Sequence, residues 1–257
     1  VGENDYIDDD KIDLTAMQEN LSSYKGKTST SSPSPHEWEN AFGDADVVFC
    51  ITVTSSLSGT YNSAVIAKDI YEQNHAGRKV YVLDSLSTGP EIALFIEKIA
   101  ELIKAGFAPD DIYKTLLEYK DKTHLYFSLA SLNNFAKNGR ISPVIAAGIG
   151  LLGVRVVGKA SDEGTLLPLD KCRGEKRALK KLIDHLKECG YTDGKIIIAH
   201  NNNEAGALEL KKLIENTFGI FNGTIQKTRA LCSYYAEPGS LLIGFEASLC
   251  NHKPYKD

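Results

Sequence analysis

Two short, almost wholly apolar runs at residues 47–54 and 79–85 constrain the fold more than any other feature of the 257-residue sequence. Both are rich in β-branched and aromatic residues, which is typical of strands buried on both faces of a sheet. Segments with helical periodicity follow at residues 60–77 and 90–105. Strands that alternate with helices of this length indicate βαβ units around a parallel sheet. The sequence therefore predicts a parallel α/β domain in residues 1–122.

The pattern changes in the second half of the chain. Two β-rich stretches at residues 154–161 and 165–172 are joined by a DEG turn, which suits an antiparallel hairpin. The other predicted elements are a strand at 124–131, helices at 175–188 and 205–217, and strands at 196–200, 223–230 and 241–247. We therefore expect a mixed-sheet α+β domain in residues 123–257.

The first 40 residues are polar and irregular in pattern. Residues 27–35 read KTSTSSPSP, and hydroxyl residues broken by prolines are typical of a surface loop. A short helix is predicted to follow, from residue 35 to residue 41.

Composition argues against several classes of function. The net charge is −5 and the basic residues form no block, so we expect no nucleic-acid partner. No apolar run approaches the ~18 residues of a membrane span, and we expect neither a membrane span nor a leader. The five cysteines are odd in number and form no CxxC pair, so neither a disulfide framework nor a metal site is expected. Reduced thiols fit a cytoplasmic protein.

Three local motifs each have a functional and a structural interpretation. Residues 148–153 spell GxGxxG, but a dinucleotide site needs a strand before this motif and a helix after it. Here a helical pattern precedes it and a strand follows, so the alternative is close packing at a helix end. Ser58 lies in SLSGT, which lacks the GxSxG elbow of a hydrolase. His200 ends an apolar strand, where active-site residues often lie, yet a lone histidine there is more often structural.

The loop at residues 55–59 has the strongest physical case for binding. It follows one predicted strand and precedes a helix, so it offers unpaired backbone N–H groups, the positive end of a helix dipole and several hydroxyls. These features suit a small anion such as a carboxylate or a phosphate. The alternative is that Ser58 or Thr60 only caps the helix.

Six phrases in this sequence resemble, in order, the motifs of the DegV family. They are TSSPSP at 30–35, SLSGTYNSA at 56–64, Asp84–Ser85 with Gly89, GRIS at 139–142, KCRGEKRAL at 171–179, and Pro238–Gly239. The resemblance covers nearly the whole chain. It implies a two-domain DegV-like α/β fold with a long apolar tunnel between the domains. It also implies that the first strand of the parallel sheet is absent from this sequence.

The resemblance implies a carrier rather than an enzyme. DegV-like proteins bind a long-chain fatty acid and present its carboxylate to the catalytic subunit of a fatty acid kinase, which makes the acyl phosphate. No cofactor is expected, and a transient contact with a membrane surface would suit the lipid. Burial of each methylene stabilises a bound acyl chain by about 0.8 kcal/mol, so affinity would come mainly from the tail.

The resemblance also assigns the site residues. Thr30 and Ser58 are expected to hydrogen-bond the carboxylate, while Ser31 and Gly59 assist through the backbone. Arg140 and Arg173 resemble family arginines that flank the head-group end.

One stretch departs from the family pattern. Residues 235–239 read YAEPG where the family commonly has HxGPG, so Tyr235 replaces a head-group histidine and Glu237 replaces a glycine. Tyrosine can still donate a hydrogen bond but is not a cation near neutral pH. Glu237 would repel a carboxylate if its side chain pointed inward.

Two alternative functions stay open at this point. One is a hydrolase or phosphotransferase that uses Ser58, against which the missing GxSxG elbow and P-loop argue. The other is a carrier of a different apolar anionic metabolite, which Tyr235 and Glu237 favour. The absence of an evident general base favours a carrier over a catalyst.

Overall fold

The computed structural model describes residues 1–141 and 153–247. The GxGxxG motif therefore lies outside the described residues except for its last glycine, and so does the final residue of GRIS. The described helices are α1 Leu14–Ser23, α2 Pro35–Phe42, α3 Thr60–Asn74, α4 Pro90–Lys104, α5 Pro109–Lys120, α6 Asn133–Lys137, α7 Glu175–Glu188, α8 Glu204–Phe218 and α9 Ala230–Ala236. The described strands are β1 Val47–Thr52, β2 Lys79–Asp84, β3 Thr123–Leu129, β4 Val154–Ala160, β5 Leu166–Arg173, β6 Ile196–His200, β7 Gly223–Lys227 and β8 Leu241–Glu246.

The two apolar runs pair in parallel as β1 and β2, with Val47 opposite Lys79 and Thr52 opposite Asp84. Helix α3 packs on this pair through Ala64 and Ala67, both fully buried. Helix α4 packs through a second apolar cluster, which also includes Ile197 of β6. Because α4 contacts strands of both sheets, it joins the parallel pair to the rest of the molecule.

The second sheet has six strands in the order β5-β4-β3-β8-β6-β7. Only β6 and β7 are parallel, and the other neighbours are antiparallel, as the mixed pattern of the sequence predicts. Alternate residues of β3 point to opposite faces. Tyr126 belongs to the core cluster beneath α7 and α8, whereas Leu125, Phe127 and Leu129 belong to a different cluster. The sheet is therefore apolar on both faces.

The turn between β4 and β5 links the two sheets. Thr54 Oγ1 donates a hydrogen bond of 2.8 Å to the backbone oxygen of Gly164 at the tip of this hairpin. Gly164 has φ +77°, and a Cβ there would lie 2.2 Å from Thr54 Oγ1. This position therefore requires glycine, and the hairpin tip lies directly over the end of β1.

Two predictions about helices were wrong. Residues 14–23 form α1, although the first 40 residues show no helical pattern. The Asp13 side chain accepts the N–H of Ala16 and caps the helix, and Met17 is the one buried residue of α1. A helix with one buried residue leaves almost no amphipathic signal. Residue 230, predicted at the end of a strand, instead begins α9. The backbone N–H groups of Ala230 and Leu231 donate hydrogen bonds to the carboxylate of Asp8.

The described residues hold no helix that is both long and apolar enough to cross a membrane. Within residues 1–141 and 153–247, no group of three or more His, Cys, Asp or Glu side chains could hold a metal ion. Cys50, Cys172 and Cys232 are free thiols. Cys189 is disulfide-bonded, so the expectation of uniformly reduced thiols was wrong at this position.

Candidate functional site

The loop after β1 carries the first part of the site. Ser58 precedes the N-cap residue of α3, Gly59, which has no side chain to accept a helix N–H. Ser58 Oγ lies 2.7 Å from Thr60 Oγ1 and accepts the N–H of Thr60 at 3.3 Å. The Ser58 hydroxyl thus takes part in capping, as the structural alternative predicts, while remaining half-buried at the open start of the helix.

The hydroxyl-rich segment before α2 lies against this helix start. Ser32 Oγ would be 3.4 Å from a Cβ at Gly59, and Ser63 Oγ donates to the backbone oxygen of Pro33 at 2.6 Å. The segment ends at Ser34, which caps α2 in a reciprocal capping box. Local capping at one end and the contact with α3 at the other therefore fix this segment beside the Ser58 loop.

Thr30 connects this segment to the far end of the chain. Its Oγ1 lies 2.7 Å from the hydroxyl of Tyr235 in α9. The Tyr235 ring packs on Phe135 of α6 with 4.8 Å between centroids. Ser31, next to Thr30, is exposed.

Arg140 contributes positive charge from the segment after α6. Its Nε donates to the backbone oxygen of Leu57 at 3.3 Å, and its Nη1 donates to the backbone oxygen of Asn138. The backbone N–H of Arg140 donates to Phe135 at 2.9 Å. No carboxylate in the described parts of the chain pairs with this half-buried guanidinium, so it would attract an anion.

Contacts that pass through Ser32, Leu57 and Phe135 link the segments carrying five of the predicted site residues. Thr30 contacts Tyr235, and the Tyr235 ring packs on Phe135. The backbone oxygen of Phe135 accepts a hydrogen bond from the N–H of Arg140. Arg140 reaches the loop of Ser58 and Gly59, which contacts the segment of Thr30 again. We call Thr30, Ser58, Gly59, Arg140 and Tyr235 the hydroxyl–arginine cluster.

Arg173 does not take part in the contacts of the hydroxyl–arginine cluster. It is exposed at the end of β5, opposite Val154, and none of the described residues forms a hydrogen bond or ion pair with its side chain. Arg155, which the sequence did not single out, lies at the PG turn instead. It donates to the backbone oxygen of Gly239 at 2.6 Å and pairs with Glu175 at 3.0 Å. In the sequence, Arg155 could have been identified as a candidate because it is a charged residue inside the otherwise apolar VRVV strand.

Glu237 does not face the cluster. Its Oε1 accepts a hydrogen bond of 2.8 Å from Ser131 Oγ and one of 3.1 Å from the N–H of Asn134. Its φ of +55° lies in the left-handed region, where the glycine of the family pattern is more readily accommodated. The conditional expectation of repulsion therefore does not apply, because the carboxylate stabilises the start of α6.

A second tyrosine contact was also missed from the sequence. The Tyr234 hydroxyl lies 2.6 Å from Thr28 Oγ1 and accepts a bond of 2.8 Å from Asn138 Nδ2. Thr28 and Thr30 are thus held by two adjacent tyrosines. Paired hydroxyl residues in both segments were visible in the sequence, but nothing in them indicated which would meet.

An apolar surface leads away from the cluster along one face of β3. Leu125, Phe127 and Leu129 form its floor, and Leu132 with the partly buried Phe135 extends it to the Tyr235 ring. Leu125 and Leu129 lie four positions apart in β3, which corresponds to about 13 Å along the strand. These side chains are 2–5% exposed, so they form a packed apolar layer that begins beside the Tyr235 ring.

A cavity of about 550 Å³ lies at the other end of this surface. It shares Leu125 and Ala160 with the apolar cluster. Most of its wall is polar or charged and includes Glu91, Lys120, Asp121, Thr123, Lys159 and Asp162. Glu91 is 4% exposed and accepts a hydrogen bond of 2.8 Å from Thr123 Oγ1. Burial raises the pKa of the Glu91 carboxyl to about 7. We call this the far cavity.

His200 has a structural environment. It is buried, and its Nδ1 accepts the N–H of Asn203 at 3.3 Å, close to the start of α8. Burial lowers the pKa of its imidazole, which favours the neutral ring that this hydrogen bond requires. The contacts favour the structural interpretation of this residue over a catalytic one.

Comparison with known proteins gives consistent matches. The model of the DegV family, described as an uncharacterised protein family, matches residues 1–248. A DegV domain-containing protein of Streptococcus pneumoniae strain R6 is 40% identical over 246 residues, which cover 96% of this chain and 88% of the relative.

Two solved structures are closely similar. The B3 protein of the Streptococcus pneumoniae fatty acid kinase, loaded with linoleic acid, has a TM-score of 0.94 and 40% identity, covering 96% of this chain and 88% of the other. A DegV family protein of Eubacterium eligens, loaded with heptadecanoic acid, has a TM-score of 0.93 and 39% identity, covering 96% and 90%.

Proposed function

This chain belongs to the DegV family, and from that premise we propose that it is a fatty-acid carrier that works with a separate kinase. It binds a long-chain fatty acid and presents the carboxylate for conversion to an acyl phosphate. The chain itself catalyses no step. The observation that carries this proposal is the hydroxyl–arginine cluster at the end of an apolar surface.

The cluster suits a carboxylate. Thr30 and Ser58 supply hydroxyl donors, the start of α3 supplies backbone N–H groups, and Arg140 supplies a cation with no described carboxylate partner. Hydrogen bonds to a charged group are stronger than neutral ones. Tyr235 shares its hydrogen bond with Thr30, which orients that hydroxyl without adding charge. Ser31 and Gly59 line the same position through their backbone.

The apolar surface suits the hydrocarbon tail. Its residues all belong to the second half of the chain, and the proposal keeps domains at residues 1–122 and 123–257 with a lipid tunnel between them. The similar proteins of Streptococcus pneumoniae and Eubacterium eligens carry linoleic and heptadecanoic acid. Both ligands share a carboxylate and a long chain, the two features for which the cluster and the surface provide contacts.

The site supports presentation to a partner rather than catalysis. Ser58 contacts Thr60 rather than a histidine, and Glu237 is engaged at α6, so neither positions a general base at the cluster. Thr30, Ser58 and Arg140 are partly exposed, which leaves the carboxylate accessible to a kinase. The exposed Arg173 is then available to that partner. The similar Streptococcus pneumoniae protein belongs to a fatty acid kinase, which supports the same kind of partner here.

The proposal is tested by ligand content and by reconstitution. Protein purified from bacteria should release a long-chain fatty acid on solvent extraction, and delipidated protein should rebind palmitate in calorimetry. With ATP and the catalytic subunit of a bacterial fatty acid kinase, acyl phosphate should form only when this protein is present. Absence of both extracted lipid and palmitate binding would refute the carrier, and turnover of an ester abolished by Ser58→Ala would establish the hydrolase alternative.

A further inference from the structure

Helix α4 carries large apolar side chains on the face that points away from the core. Ile96 is 57% exposed and Ile103 is 55% exposed, and Phe107, three residues beyond the end of the helix, is 48% exposed. On the other face of the same helix, Leu94 and Phe95 are fully buried in the core. Scattered exposed apolar residues are ordinary, but a group of them along one helix is typical of a contact surface.

The spacing of these residues matches the contact surface between two packed helices. Ile96, Ala100 and Ile103 are separated by four and then by three positions, the alternation that keeps side chains facing a partner helix. Ala100 is also exposed, and a small side chain at the middle position lets two helices approach closely. We call Ile96, Ala100, Ile103 and Phe107 the α4 stripe, which the described parts of the chain leave uncovered.

The charges beside the α4 stripe complement their own two-fold image. Glu97 and Lys104 each follow an isoleucine of the stripe by one position, so they lie along the same flank of the helix. Glu97 lies 3.4 Å from Lys195 Nζ at a half-exposed site, and none of the described residues forms an ion pair with Lys104. If two α4 helices pack antiparallel about a two-fold axis at the middle of the stripe, Ile96 lies opposite Ile103 of the second copy. Glu97 then lies opposite Lys104 of the second copy, and the symmetry makes this pair twice.

We propose that the α4 stripe is a self-association surface, through which two copies of this chain form an antiparallel, two-fold symmetric dimer. A second copy is favoured over an unrelated protein because both the stripe and its flanking charges match themselves. It is favoured over an anionic lipid surface because the flank carries charges of both signs, whereas such a surface attracts cations. One helix pair is a small interface, so we expect a dissociation constant of about 1–100 µM. This inference is independent of the carrier function, since no residue of the hydroxyl–arginine cluster lies on α4.

Analytical ultracentrifugation of the full chain measures the association. The unmodified protein should dimerise, and Ile96→Glu should raise the dissociation constant at least about tenfold, because it places a charge without a partner in an apolar contact. Ile66→Glu is the matched control, since Ile66 is 51% exposed on α3 and its replacement should leave the dissociation constant unchanged. Both variants should unfold at the temperature of the unmodified protein, because neither side chain is buried.

An exchange of charges tests the antiparallel arrangement. Glu97→Lys alone should weaken the dimer roughly 3- to 10-fold at low salt, because it puts two like-charged pairs across the interface. Adding Lys104→Glu to the same chain should restore the original affinity. In a parallel pair Glu97 would face Glu97 of the second copy, so the single substitution would not weaken association.

Several results would overturn the proposal. A protein that stays monomeric up to about 1 mM lacks the expected affinity, and a dimer that is indifferent to Ile96→Glu uses another surface. A monomer that cosediments with phosphatidylglycerol vesicles, and loses this binding in Ile96→Glu, would assign the α4 stripe to a lipid surface instead. Failure of the double variant to regain affinity would exclude the antiparallel geometry.

Discussion

The two ends of the apolar surface differ in how their polar groups are paired. At the hydroxyl–arginine cluster, hydroxyls contact one another and a half-buried arginine has no described carboxylate partner. At the far cavity, a buried carboxyl has a threonine partner and a pKa near neutrality. The first arrangement suits a charged ligand group, whereas burial at the second favours the neutral form of a carboxyl group.

Removing the surface that connects the two ends should have the largest effect. Phe127 is 3% exposed, and its ring lies against Gly158, where a Cβ would be 2.6 Å away. Phe127→Ala should lower the free energy of unfolding by about 3–5 kcal/mol, because it leaves a cavity in a packed core. Urea unfolding measures this. Leu117→Ala is the control, since Leu117 is exposed and its loss should cost far less. Equal effects would show that the surface is loosely packed.

The free energy of unfolding should depend on pH through Glu91, which lines the far cavity. Its pKa is 4.5 when unfolded and about 7 when folded, so the folded state binds its proton more tightly. The associated stability is fully present below pH 4.5 and is lost as pH rises through 7. A difference of this size corresponds to about 3 kcal/mol.

Glu91→Gln has no such proton. The mutant should therefore gain in relative stability between pH 4.5 and pH 7, with a constant difference above that range. Chemical denaturation of both proteins across this window measures the change, and all other titrating groups cancel between them. Parallel stability curves would mean that the Glu91 carboxyl is well solvated.

Ser58→Ala should weaken the cluster without affecting the far cavity. A hydrogen bond to a charged group contributes about 1.5–3 kcal/mol, so palmitate affinity should fall by roughly 10- to 100-fold. Binding of hexadecanol, which has the same tail and no charge, should change little. Calorimetry with both ligands gives the comparison, and an equal loss for the two would indicate that Ser58 acts through the fold.

Tyr235→Phe should have the smallest effect. The substitution removes the hydroxyl that orients Thr30 and keeps the ring that packs on Phe135. Loss of one neutral hydrogen bond costs about 1 kcal/mol, which corresponds to roughly a fivefold decrease in palmitate affinity. Tyr234→Phe is the matched control, because its hydroxyl contacts Thr28 and Asn138 instead. A similar decrease in both variants would assign the effect to α9 as a whole.

The strands and the longer helices were predictable because their patterns are local. Helix 175–188 and strand Ile196–His200 have the predicted bounds, since burial of a face imposes a fixed spacing on apolar residues. Helix α1 was missed because it is held by polar contacts such as Gln18 with Asn201, which leave no periodic signal.

The site was predictable only where a resemblance supplied it. The Ser58 loop has a physical signature of its own, because a strand end followed by a helix start exposes N–H groups. The contact of Thr30 with Tyr235 and that of Glu91 with Thr123 have none. Each joins residues whose closeness depends on the packing of separate elements, and neither alters the local pattern of the sequence.

The bond between Thr30 and Tyr235 joins residues 205 positions apart, which has a consequence for how the protein is made. Closing so long a loop is favourable only after the intervening elements have formed. During translation, the loop of Ser58 leaves the ribosome long before α9 does. Under the proposed function, the lipid site is therefore complete only after Tyr235 has been synthesised, and until then the apolar face of β3 needs protection from aggregation.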